Sequence, residues 1–363
     1  MTRPFTVVLI IPTGIGAAIG GYAGDALPVA RAIAQVADCL ITHPNVLNGA
    51  QLYWPLPNTL YVEGYGLDQF AAGHWGLRPV HQNRVGLILD QGIEPDLRLR
   101  HLQAADAARA TLGLDLTEYV VTDTPLEVSL QTASSGATWG TIQNPASLLR
   151  AAETLIQKAG ATAIAIVARF PDDMESEALQ HYRHGQGVDP IAGAEAVISH
   201  LVVRTFRLPC AHAPALLPLP LDAHVAPRSA AEELGYTFLP CVLVGLSRAP
   251  QFIVRSQPGF TPQPGDLWAE QVDAVVVPAT AFGGSAVMSL SQPTTGSKPS
   301  APCIIAVQAN QTTMHVPPHA LGITATEVSS YLEALGVLVA QKAGINAAAL
   351  KPAMRSLTCL EDG

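Results

Sequence analysis

The stretch Val7-Val8-Leu9-Ile10-Ile11-Pro12-Thr13-Gly14-Ile15-Gly16-Ala17-Ala18-Ile19-Gly20-Gly21-Tyr22-Ala23-Gly24-Asp25-Ala26-Leu27 carries the fold in miniature. An apolar run of strand length enters a turn holding five glycines. A helical pattern follows, with Leu27, Ala30, Ile33, Ala34 and Ala37 on one face. A buried strand, a glycine turn and a helix together open a parallel βα unit. Asp25 stands where a helix N-cap is expected.

The same alternation continues down the chain. Strands are expected at 6–11, 39–42, 85–89, 162–168, 241–246, 274–277 and 303–307. Helices are expected at 26–37, 99–112, 146–159, 191–201 and 326–342. Continuous apolar strands between helices predict a mainly parallel, Rossmann-like α/β architecture covered on both faces. With 363 residues, two subdomains are expected, 1–150 and 151–363. The proline-rich stretches 208–227 and 256–266 read as loops, because each proline removes a ladder donor. Residues 55–79 read as an insertion near the site, and 291–302 as a mobile polar loop.

Composition narrows the functional classes. Hydrophobic residues make up 48% of the chain and charged ones 13%, which predicts a large core or a buried homo-oligomer interface. The formal charge is −9 and no basic cluster is present, so nucleic-acid binding is not expected. The longest apolar runs are strand-length, so membrane insertion is not expected either. The N-terminus lacks the pattern of a signal peptide, which predicts a cytoplasmic protein. Five scattered cysteines without a CxxC read as free thiols.

The glycine turn is the first functional candidate. Backbone N–H groups of Thr13, Gly14, Gly16, Gly20, Gly21 and Gly24, with Asp25 at the helix start, would suit a phosphate or carboxylate. The spacing matches neither GxGxxG nor a P-loop, so no cofactor is specified. In open parallel sheets, ligands lie beyond the carboxyl ends of the strands. Those ends are polar here: Thr42-His43-Pro44-Asn45 with Asn48, Arg169 followed by Asp172-Asp173, Gly283-Gly284-Ser285, and Gln308 with Asn310 and Thr313. His43 is the acid–base candidate, since imidazole titrates near neutrality. Asp172 and Asp173 would bind metal or orient a hydroxyl. Asn45, Asn48, Gly283, Gly284, Ser285, Gln308, Asn310 and Thr313 would hold the ligand. His181 and His184 share a helical face and are the candidate metal ligands, near His200, His212, Asp222 and His224. Glu195 is an isolated carboxylate in an apolar helix, and such a group needs a partner or a shifted pKa.

Residues 12–26, 42–50 and 187–196 resemble a family of conserved proteins of unknown function found in cyanobacteria and plant chloroplasts. The resemblance implies a soluble protein of a photosynthetic organism and transfers no catalytic residue. The residues themselves predict an enzyme acting on a small anionic metabolite. The alternatives are a non-catalytic ligand sensor or assembly factor of photosynthetic cells, and a metal-dependent hydrolase or lyase.

Overall fold

A computed structural model describes residues 3–48, 50–172, 176–235, 238–292, 301–353 and 356–357. Asp173, Cys359 and residues 293–300 of the polar stretch lie outside the described residues.

Two parallel sheets organise the chain. The first contains β1 (Thr6–Leu9), β2 (Cys39–Thr42), β3 (Thr59–Tyr61), β12 (Val272–Pro278), β13 (Cys303–Val307) and β14 (Thr326–Val328). Its order is β14-β13-β12-β1-β2-β3, and every neighbouring pair is parallel. The second contains β5 (Val85–Leu89), β6 (Leu116–Val121), β9 (Ala163–Arg169) and β10 (Cys210–Ala215), in the order β10-β9-β5-β6, again parallel. Two antiparallel pairs complete the β structure: β4 (Gly76–Arg78) with β11 (Gln251–Ile253), and the hairpin β7 (Val128–Thr132) with β8 (Thr138–Ile142). The expected α/β, Rossmann-like class is therefore the observed one.

The helices are α1 (Leu27–Val36), α2 (Pro44–Leu47), α3 (Ala50–Tyr53), α4 (Gly64–Ala71), α5 (Pro95–Leu112) and α6 (Pro145–Ala159) in the first half. In the second half they are α7 (Glu177–Arg183), α8 (Ala192–Phe206), α9 (Pro227–Glu233), α10 (Leu239–Ser247), α11 (Ser285–Ser291) and α12 (Tyr331–Lys342). Apolar residues from both sheets share the same two core clusters, so one continuous interior joins them. Strands from both sides of residue 150 enter each sheet: the chain builds half of the first sheet, builds the whole second sheet, and returns.

Four expectations are corrected by the structure. Residues 241–246 are not a strand but lie in α10, which is buried nearly all round against α3, α5, β9 and β10. A helix apolar on every side has no amphipathic period to distinguish it from a buried strand. Gly245 explains its close fit, because a Cβ there would lie 2.6 Å from the Tyr61 ring. Residues 55–79 are no insertion, since β3 is the edge strand of the first sheet. The stretch 208–227 includes β10, whose Pro214 is accommodated because β10 is an edge. The expected helix 326–342 divides into the edge strand β14 and α12.

Candidate functional site

Each parallel sheet has a point where the chain reverses its direction of growth across the sheet. In the first sheet it lies between β1 and β12, in the second between β5 and β9. Ligand crevices form at such points, outside the carboxyl ends of the strands. A cavity of about 1140 Å³ opens there. Its wall takes Ile10, Pro12 and Thr13 after β1, His43 and Asn45 after β2, Glu63 and Gly64 after β3, and Gly283–Val287 after β12. From the second sheet come Pro171 and Asp172 after β9 and Pro214 and Leu216 at the end of β10. The hairpin β7–β8, α7, α8 and α9 close the remaining sides. A smaller hollow of about 340 Å³ lies at the second switch point, beside Asp90, Glu94 and Arg169.

Several candidate residues meet in the large cavity: Thr13, His43, Asn45, Asn48, Asp172, Gly283, Gly284 and Ser285. Gly14, Gly16, Gly20, Gly21, Gly24, Asp25, Gln308, Asn310 and Thr313 are not among its lining residues. The glycine turn is packed rather than open. Gly20 has φ +92°, and a Cβ there would meet Ile11 at 2.5 Å. A Cβ on Gly21 would lie 2.4 Å from the Ala17 carbonyl oxygen. The turn amides already donate: Ala18 to the Gln311 carbonyl, Ile19 to Asn310 Oδ1, Gly20 to Asp25 Oδ1, Ala23 to Glu232, and Gly24 to the Asn45 carbonyl. Two of these acceptors are carboxylates, which occupy the positions an anion would take. Asp25 accordingly is not the cap of α1, which starts one residue later behind Ala26; it ties the turn to Arg228 at 2.9 Å.

Asn310 is fully buried. Its Oδ1 accepts from the Ile19 amide at 2.9 Å, and its Nδ2 donates to the Ile19 carbonyl at 2.8 Å, as a neighbouring strand would. Thr313 donates from its amide to the Ile15 carbonyl at 2.9 Å. Gln308 donates to Glu327. Asn310 and Thr313 lace the turn to the loop after β13, while Gln308 ties that loop to β14.

His43 lies in the cavity wall, but its Nε2 accepts the Ile11 amide at 3.1 Å. Burial pushes its pKa down to about 4, so it is a neutral acceptor that fixes the start of the turn. Asp172 accepts the Leu217 amide at 3.1 Å and pairs with Arg169, which also holds Glu94 at 2.8 Å. His181 and His184 do not converge. His184 contacts Asp222 at 2.8 Å, while His181 faces Glu177 at 3.7 Å. Among the described residues, no group of three or more His, Cys, Asp or Glu side chains could hold a metal ion. Cys39, Cys210 and Cys303 are free thiols.

The titratable residues that dominate the cavity are others. Asp189, in the turn before α8, accepts the Ile191 amide at 2.9 Å and is buried. Burial, and then the charge of Glu195, raise its pKa to about 7. Glu232, at the end of α9, accepts from the Ala23 amide and from the Tyr182 hydroxyl at 2.8 Å. Burial and the charge of Asp189 push it well above the ordinary carboxylate range. Glu195 lies 3.7 Å from His212 on β10. Also in the wall, Glu63 pairs with His200, and Asp68 accepts the Ala286 amide. Burial raises the Asp68 carboxyl as well. Arg183, a cation of the wall, is engaged by Glu233 at 2.8 Å and by the Pro220 carbonyl. The lining is thus strongly acidic.

Of these, Glu195 stood out in the sequence as an isolated carboxylate. Glu63, Asp68, Tyr182 and Glu232 carried no local signal, because they come from three separate short elements, α4, α7 and α9.

The model of the family described as "Protein of unknown function (DUF3326)" matches residues 6–351. An uncharacterized lipoprotein of Synechococcus sp. is 60% identical over 358 residues, covering 99% of this chain and 96% of its own length. No solved structure matches the chain. The expectation of a cytoplasmic protein is corrected by this relative, which is named a lipoprotein and so points away from the cytoplasm. No helix among the described residues is long and apolar enough to cross a membrane.

Proposed function

From the premise that the chain belongs to the DUF3326 family, which has a cyanobacterial member, we propose that it binds and chemically transforms a small amine-bearing metabolite in the cavity between its two sheets. One observation carries this reading. Asp189, Glu195 and Glu232 are neighbouring carboxylates in the wall of a cavity of about 1140 Å³, where burial and the neighbouring negative charges raise the proton affinity of Asp189 and Glu232. That volume lies just above the usual range for cavities that enclose whole small molecules, roughly 300–1,000 Å³. Without a ligand, desolvated like charges are relieved by protons. An ammonium or guanidinium group would replace those protons and satisfy the carboxylates at once. Anion recognition on the glycine turn, by contrast, would have to displace Asp25 and Glu232 from its amides.

Chemistry beyond binding is favoured by the same wall. A carboxyl poised near neutrality in a cleft is equipped to give or take a proton at physiological pH.

The test is thermal unfolding with putrescine, agmatine and arginine, against phosphate and acetate as controls. An amine should raise Tm in a concentration-dependent way, and Asp189→Asn should abolish the rise. A rise with phosphate and none with any amine would overturn the proposal. Amine binding without turnover would reduce it to a ligand sensor.

A further inference from the structure

In the wall of the same cavity, one histidine is held as proton-transfer residues are held. Glu63 follows β3 and is the N-cap of α4. Its Oε2 accepts the Tyr65 amide at 2.8 Å and the Gly66 amide at 3.2 Å. Two helix N-terminal amides therefore fix one oxygen and stabilise the charge. The other oxygen, Oε1, lies against Nδ1 of His200 on α8. Glu63 is 3% exposed at its side chain, whereas the His200 side chain is 41% exposed and lines the cavity. Since Nδ1 itself is buried, the exposed part of the ring is its far side.

We propose that Glu63 and His200 form the acid–base dyad of this cavity, with His200 Nε2 as the atom that exchanges a proton with the bound ligand. The arrangement follows a general rule. A buried carboxylate on Nδ1–H selects the tautomer that leaves the Nε2 lone pair free, and stabilises the imidazolium once it forms. In the forward step, Nε2 removes a proton from a ligand N–H or O–H, whose electron pair stays on the ligand. In the return step the same proton is delivered to the product, so the dyad ends as it began. No redox partner or metal is required. Gly64 permits the approach, because a Cβ there would lie 3.0 Å from His200 Cε1.

The groups facing this imidazole are Glu63 and Asp68 from the α4 side, with the Tyr65 ring 6.3 Å away between centroids. From β10, Cys210 lies near Glu63, and His212 faces Ser199, the residue before His200. Burial opposes charge on His200, but the adjoining Glu63 carboxylate, reinforced by Asp68, outweighs it and raises its pKa. Proton removal by Nε2 should therefore strengthen as pH rises through a midpoint above that of a free imidazole.

This inference shares the cavity of the proposed function but not its carboxylate triad, so the two can fail separately. The experiment is alkylation of the full chain by 2-bromoacetamide, a small neutral electrophile, read residue by residue by tandem mass spectrometry from pH 5 to 9. His200 should be alkylated at Nε2, with a midpoint above about 6.5. In Glu63→Gln that midpoint should fall by about one unit, while Glu63→Asp should recover part of the shift. His224, 89% exposed, supplies the internal reference in each sample. Should the Glu63 variants not fold, nitrogen NMR of the wild-type imidazole decides: protonation at Nδ1 with a free Nε2 is required. A His200 inert to the reagent while His224 reacts, an unmoved midpoint in Glu63→Gln, or the opposite tautomer would each overturn the dyad. Protection by putrescine reports on the amine reading alone and leaves the dyad standing either way.

Discussion

At the scale of single residues, this protein separates polar groups that build from polar groups that are held ready. His43, Asn310 and Asp189 look alike in the sequence, polar residues beyond strands or at a helix start, and His200 is one more polar residue within a helix. Their surroundings divide them. Asn310 satisfies both ends of its amide on Ile19, and His43 accepts a single backbone N–H that would otherwise be orphaned. Asp189 is different, because its environment works against its charge. Its folded pKa of about 7 exceeds its ordinary value of 3.8. A raised carboxyl contributes stability that is present below pH 3.8 and lost as pH rises through 7. Asp189→Asn should therefore unfold less readily than the wild type at pH 8, by roughly 2–4 kcal/mol in urea titrations. The advantage should shrink towards pH 4. Parallel stability curves across that range would show that Asp189 carries no such cost. A site residue that destabilises its own fold is the expected signature of function retained against stability.

Elements show why the glycine turn, so prominent in the sequence, is a joint rather than a ligand cradle. The turn after β1 is laced to the loop after β13 by Asn310, Gln311 and Thr313, and to α9 by Arg228 and Glu232. The hairpin β7–β8 is bolted to the same turn: the Thr138 amide donates to the Gly14 carbonyl at 2.9 Å. Its hydroxyl donates to the Asp189 carbonyl at 2.9 Å. Removing one of these laces should cost stability without touching the chemistry. Asn310→Ala leaves the Ile19 amide and carbonyl buried without their partner, at about 1–3 kcal/mol. The variant should lose that much in urea unfolding yet keep the pH midpoint of His200 alkylation. A moved midpoint would mean that the turn and the dyad are coupled, against this division of labour.

What the sequence disclosed follows the same division. Strand-length apolar runs at β1, β2, β5, β9, β12 and β13 declared a parallel sheet, because burial on both faces demands continuous Val, Ile and Leu. The convergence of polar residues after β1, β2, β9 and β12 was also legible, since a parallel sheet places those ends on one side. Residues 241–246 misled, because an all-round buried helix has the composition of a strand. Glu63, His200 and Glu232 were invisible as a group, because only the meeting of α4, α8 and α9 makes them neighbours. Local pattern encodes which face is buried, not which distant elements share a wall.

The whole molecule is best described as two Rossmann-like sheets with a shared interior, the first switch point opening onto the large cavity and the second onto the smaller hollow. The second sheet is inserted into the first between β3 and β12. The ends of β1, β2, β3, β12, β9 and β10 are covered by α7, α8, α9 and the hairpin, and the excess of carboxylates there gives the cavity its sign. The most direct measurement is a crystal structure of the full chain grown with agmatine. Density for its guanidinium or ammonium group should lie between Asp189, Glu195 and Glu232, with the remainder of the molecule extending towards His200. An empty cavity under saturating agmatine, or agmatine bound on an outer surface, would contradict the assignment of this chamber as the site.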